Sequence, residues 1–181
     1  EESAECTLQK VIIVAGKLQI EGDVTANNDI SILEESGQVH LVKSAILKGK
    51  GHLTNHGELI LDTDSQSRIE VPIDNSGKTV MNSNTHLTRP YQQVDSNAVT
   101  ILKEATLLSD HSFEIADGEF YGIGTVKTPR FNCAGNYGPH IDDKIGRLHI
   151  QGDFHSSGTA TAHFKVRSDK EHSILEVDKD L

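Results

Sequence analysis

Residues 37–41, 57–61 and 77–81 read GQVHL, GELIL and GKTVM, three stretches that open on Gly37, Gly57 and Gly77 and recur every twenty residues. Carrying the spacing outward adds GKLQI from Gly16, NAVTI from Asn97 and GEFYG from Gly118. Five units open on Gly and the sixth on Asn, the side chain next most tolerant of positive φ. Each unit therefore reads as a tight corner followed by an extended segment, with Gly16, Gly37, Gly57, Gly77, Asn97 and Gly118 as the repeat positions.

Inside a unit the side chains alternate. The second and fourth residues after the start are Leu18 and Ile20, Val39 and Leu41, Leu59 and Leu61, Thr79 and Met81, Val99 and Ile101, Phe120 and Gly122. Ten of these twelve are apolar, the mark of a strand with one face in a core. The residues between them, such as Lys17, Gln38, His40, Glu58, Lys78 and Glu119, are mostly polar, with Ile60, Val80 and Ala98 as exceptions. A second short strand recurs in SAILKG (44–49), SRIEV (67–71) and ATLL (105–108), with SG, SN, DT and DG at corners.

One such coil cannot bury its own apolar positions, but coils stacked about 4.8 Å apart can line them up as ladders while their backbones pair. The expected fold is all-β, a single-stranded right-handed parallel β-helix of about twenty residues per coil with an irregular C-terminal closing segment. Regular coils are assigned to 1–126, and an irregular loop with capping strands of the same solenoid to 127–181. A leucine-rich repeat would need a helix or 3₁₀ segment in every unit, and a β-sandwich would not keep the spacing constant.

Composition narrows the rest. Aromatic residues are 4% of the chain and Trp is absent, so Ile, Leu and Val are expected to fill the core rather than large rings. A net charge of -10 with 17 scattered Lys and Arg argues against nucleic acid as a partner. No stretch approaches the ~18 apolar residues of a spanning helix, so no membrane insertion of this segment is expected. The chain opens on EESAEC and its only Met is Met81, which reads as a processed product or an excised fragment. Pairing of Cys6 with Cys133 is left open, because sequence separation does not fix distance.

Several residues invite a chemical reading. His52 and His56 have the spacing at which two imidazoles on a helix share a metal, but on extended chain four residues span about 13 Å. Asp62 and Asp64 could open a polysaccharide-lyase site. The period, however, stacks Asp62 on Val42 and Asn82, and sets Asp64 among Ser44, Asn84 and Glu104, so no carboxylate column forms. The weak metal candidates are His149 and His163, on neighbouring strands, and Asp142 and Asp143 in HIDDKIG. No G-x-S-x-G, P-loop or H-E-x-x-H occurs, and Cys133 in FNCAG is expected to be packed rather than nucleophilic. No catalytic residue and no cofactor is assigned. Asn55, Asn75 and the other asparagines near corners are expected to ladder their amides between coils.

From Gly118 the text GEFYGIGTVKTPRFNCAGNYGPHIDDKIGRLHIQGDF resembles the last coils of autotransporter-passenger β-helices. The matching residues are Gly122, Gly124, Thr125 and Val126, then Gly138 and Pro139 in reversed order, then Ile145, Gly146, Leu148, Ile150, Gly152, Asp153 and Phe154. Upstream, LKGKGHLTNHGELIL and VPIDNSGKTVM are similar to the G-x-L-x-N-x-G-x-L repeats of such proteins and of filamentous haemagglutinins. The resemblance implies an exported, extracellular or cell-surface protein acting as a rigid stalk or adhesive surface on a host-cell or matrix protein or glycan. An alternative is a β-helix lyase or hydrolase acting on an acidic glycan. A further expectation is self-association through the strands at the solenoid ends.

Overall fold

The computed structural model describes residues 6–178, and among these every regular element is a β-strand. They stack in parallel as a β-solenoid of about eight turns, each of roughly twenty residues. Each coil contributes three short runs, so the stack has three flat faces.

The first face follows the glycine corners: 16–21, 37–42, Glu58–Asp62, Lys78–Met81, 99–103, 119–123, Asn136–Gly138 and Thr161–Ala162. The second begins at Cys6–Leu8, passes through Gln66–Ile69 and Asn84–Leu87, and ends at Ile174–Val177. The third carries Val11–Ile13, Ile30–Ile32, Leu53–Asn55, Ile73–Asn75, Tyr91–Gln93, Phe113–Ile115, 131–133 and 154–156.

The repeat glycines open the first face as expected, but positive φ accounts for only two of them. Gly16 and Gly118 stand at φ 86 and 78. Gly37, Gly57 and Gly77 lie outside the left-handed region, and close approach between coils selects glycine there instead. Gly37 stacks on Gly16, and a Cβ on it would lie 3.0 Å from Ile13 O and from the Ile32 side chain. A Cβ on Gly57 would in turn lie 2.3 Å from Gly37 O.

Long strands turn from the first face into the second without breaking. Gly22, Lys43 and Glu104, at φ 75, 54 and 52, supply that bend, and the ladder skips there between Glu21/Asp23 and Lys103/Ala105. Lys43 and Glu104 take left-handed φ there as non-glycine residues, and their exposed side chains pair with Glu21 and Lys144.

The expected inward positions hold for the early coils: Val39, Leu41, Leu59, Leu61 and Met81 are fully buried. The fifth unit needs a correction. Lys78 pairs with Val99 and Thr79 with Thr100, so Ala98, not Asn97, stands above Gly77. Thr100 and Leu102 point inward, while Val99 and Ile101 lie on the outer face. The extra residue is taken up by a turn in which Ala98 N–H donates to Asp95 O (3.0 Å) and Asn97 N–H to Asp95 Oδ1 (2.8 Å).

The core also differs from the aliphatic one expected. One inward column on the third face runs Ile30, Leu53, Ile73, Tyr91, Phe113, Phe131 and Phe154, changing from branched aliphatic to aromatic along the axis. Tyr91 stacks on Phe113 at 4.6 Å and 11°, and Phe113, Phe120 and Phe131 meet edge to face at 5.0 to 5.9 Å. Rings are few, but those present are concentrated where each shields the next.

The neighbouring inward column is polar over three coils, between Ile32 on one side and Ile115 on the other. Asn55 Nδ2 donates to Asn75 Oδ1 (2.8 Å) and Asn75 Nδ2 to Gln93 Oε1 (3.1 Å), all three fully buried. Gln93 Nε2 then donates to backbone carbonyls of Ala98, Asp117 and Glu119. Each amide thus has the partners that burial demands, and the asparagine ladder expected from the sequence is present at Asn55 and Asn75.

Coil stacking does not stop at residue 126. The strand Glu119–Cys133 pairs with Arg147–Ser156 as far as Cys133 and Ser156. The irregularity is confined to the corner where the first face turns into the second: an antiparallel pair, His140–Ile141 with Lys144–Ile145, in one coil, and residues 163–173 with an antiparallel bridge between Val166 and His172 in the next.

Candidate functional site

The outer surfaces are where chemistry could sit, and the ladder decides which side chains meet. His52 stacks on Pro72 through the Leu53 N–H to Pro72 O bond, and its Nε2 lies 3.3 Å from Asp74 Oδ2. His56 sits in the next corner, exposed, and the two imidazoles share no partner. Asp62 stacks on Val42, and its Oδ2 lies 3.7 Å from His40 Nε2.

His149 and His163 are not brought together as a pair. His149 Nε2 is 2.6 Å from Oδ1 of Asp178, just past the adjacent strand Ile174–Val177, whereas His163 meets Tyr121 edge-on at 6.2 Å. Asp142 and Asp143 are tied down from the C-terminal segment. Lys165 Nζ donates to Asp142 O and lies 3.3 Å from Asp143 Oδ1, and Arg167 Nη2 donates to Asp143 O at 2.6 Å. Among the described residues no three His, Cys, Asp or Glu side chains converge as a metal site.

Cys6 and Cys133 are both free thiols. Cys6 lies in the first described rung and Cys133 six coils further on, about 29 Å along the axis at strand spacing, well beyond disulfide reach. Burial pushes the Cys133 thiol up to about 12, with a smaller opposing pull from the backbone at Gly135. That is the opposite of an activated nucleophile.

Two outer features were not legible in the sequence. The first is a ring cluster on the last full coils. His140 stacks on Tyr121 at 4.6 Å and 30°, with Gly138 beneath the imidazole, where a Cβ would lie 2.9 Å from the ring. Its Nδ1 is buried without a hydrogen-bond partner. Burial first, then the positive charges of Lys165 and His163, hold His140 below its usual range, while Asp142 and Glu119 pull the other way. Burial raises Tyr121, assisted by Glu119.

The second is the edge where the third face turns into the first. Corners there differ in length. His56 and Gly57, and Ser76 and Gly77, turn in two residues, whereas 33–37 and 94–98 take five. Long corners project and short ones recess. The recess between the two long turns is a notch of ≈ 400 Å³ that touches Glu35 of one turn and Asn97 of the other, with His56, Ser76 and Lys78 along its floor. Glu58, which also lines it, is engaged, accepting from Gln38 Nε2 (2.7 Å) and lying 3.0 Å from Lys78 Nζ.

No family model, no curated protein and no solved structure matches this chain.

Proposed function

We propose that the chain is a rigid, non-enzymatic β-solenoid segment of an exported protein, serving as a stalk or adhesive surface for a host-cell or matrix protein or glycan. The observation that carries this reading is the unbroken inward ladder from Ile30 to Phe154, which makes a stiff rod whose outer faces are free to be varied. The outer charges support it. Gln38, Glu58 and Lys78 form a row across three coils, and Arg147–Glu176 (2.8 Å) and Lys48–Asp23 (3.2 Å) bind successive coils in the same manner. Exposed pairs of this kind add only about 0–1 kcal/mol each, so they serve surface register and solubility more than stability.

The test has two arms. Binding to arrayed matrix proteins and glycans is expected to be measurable, and small-angle scattering is expected to give an elongated particle. Incubation with acidic polysaccharides, with and without Ca²⁺, is expected to yield no unsaturated product. Turnover that disappears in Asp62→Asn or Asp64→Asn would overturn the non-enzymatic reading in favour of a lyase.

A further inference from the structure

The uneven edge follows a rule. Numbering the rungs of the first face from 16–21 as one, the long turn 33–37 leads into rung two and 94–98 into rung five. The turn 157–160 leads into rung eight, Thr161–Ala162, and is closed by Ala160 N–H donating to Ser157 O. The projecting turns, or teeth, therefore stand every three rungs, about 14 Å apart at strand spacing. Between them lie two notches of almost equal size. The ≈ 400 Å³ notch is centred between rungs three and four, and one of ≈ 410 Å³ lies between rungs six and seven. The second touches Ser96 of one tooth and Thr159 of the next, over a floor of Ala116, Asp117, Gly118, Ala134, Gly135 and Asn136.

We propose that this toothed edge is a self-recognition surface, on which a second copy of the chain docks antiparallel about a two-fold axis, each tooth entering a notch of the other. The spacing selects the partner. A two-fold that carries rung five onto the gap between three and four also carries rung two onto the gap between six and seven. One operation fills both notches in both copies, because a second copy carries the same three-rung repeat.

The tooth chemistry fits. Leu33 and Val94 occupy equivalent positions at the base of the first two teeth and are 46% and 47% exposed. Docking places Leu33 over Ala116, Gly118, Ala134 and Gly135 of the second notch and brings Glu34 and Glu35 towards Asp117, a like-charge approach that weakens the contact at low salt. It places Val94 over Gly57, Ser76 and Gly77 in the first, and brings Asp95 towards His56 and Lys78 of the other copy.

Two terms keep the association weak. Each copy carries a net charge of -10, and the contact is one edge rather than a face, whereas a standard interface takes ~800 Å² from each partner. Half-association is therefore expected near 100 µM, on the order expected for small wet interfaces, and to tighten as salt screens the repulsion.

Sedimentation equilibrium of the full chain from about 10 µM to about 1 mM, at low and high salt, tests this. A monomer–dimer equilibrium strengthened by salt is expected. Leu33→Asp and Val94→Asp, on exposed turns and checked by unchanged circular dichroism, should each weaken it at least tenfold. A monomer throughout the range overturns the proposal. So does a dimer or an open-ended polymer that is insensitive to both substitutions, since association then uses another surface such as the solenoid ends.

Discussion

A methyl group added to Gly77 would lie 2.3 Å from the carbonyl oxygen of Gly57, in the backbone of the adjacent coil, where no rotamer change relieves the contact. Gly77→Ala is therefore expected to cost at least about 2 kcal/mol, read as a lower urea midpoint at constant slope. Gly158→Ala, in an exposed turn with nothing within 4 Å, should stay within about 0.5 kcal/mol of the parent. That contrast explains why the glycine spacing was legible. Stacking excludes a side chain at this corner in coil after coil, from Gly37 through Gly57 to Gly77, so the constraint is written in the sequence as a period. Asn97 misled for a related reason: its tolerance of positive φ made it look like the missing glycine, while the turn closed by Asp95 put Ala98 in that place.

The shifted fifth unit is testable at the level of its strand. Leu102→Asp buries a charge among Met81 and its neighbours and should abolish cooperative unfolding, whereas Ile101→Asp, on the outer face, should leave a cooperative transition within about 2 kcal/mol. Equal damage from both would refute the register. The inserted hairpin should respond to acid. His140 is held below its usual 6.5 when packed on Tyr121, so the closed hairpin binds fewer protons than the open one. Closure is then fully supported above about pH 6.5 and weakens as the pH falls below it. Hydrogen exchange at 140–146 should accelerate between pH 7 and 5 relative to residues 59–61 after correction for intrinsic rates. His140→Phe, which keeps a ring on Tyr121, should remove that dependence. None of this was legible in HIDDKIG. Its two aspartates draw the eye as ligands, whereas the packing partners, Tyr121 and Lys165, lie about twenty residues to either side.

Across the whole molecule, stability should be graded. Leu8, Val11 and Leu18, at the first described rungs, are only partly covered, while the rings from Tyr91 to Phe154 interlock through successive coils. Native-state hydrogen exchange should therefore be slowest at 100–133 and faster at 11–20, and a uniform profile would contradict this picture. The architecture was legible because one corner keeps a spacing of 20 or 21. The three-coil rule of the teeth was not, because residues gained at one corner are lost at another. Third-face neighbours accordingly lie 20 apart at Leu53 and Ile73 but 18 apart at Ile73 and Tyr91. The buried chain from Asn55 through Asn75 to Gln93 bears on a different problem, that of reaching one structure rather than many. Leu, Ile and Val rungs are nearly interchangeable, so a coil could slip by two residues, or swap neighbours, at little loss of burial. An amide has a donor end and an acceptor end and is satisfied only opposite its own partner, so these three side chains act as an address within an otherwise repetitive core. Asn75→Val should accordingly yield a chain that still collapses into strands but populates alternative registers, visible as extra amide resonances where the parent shows one set.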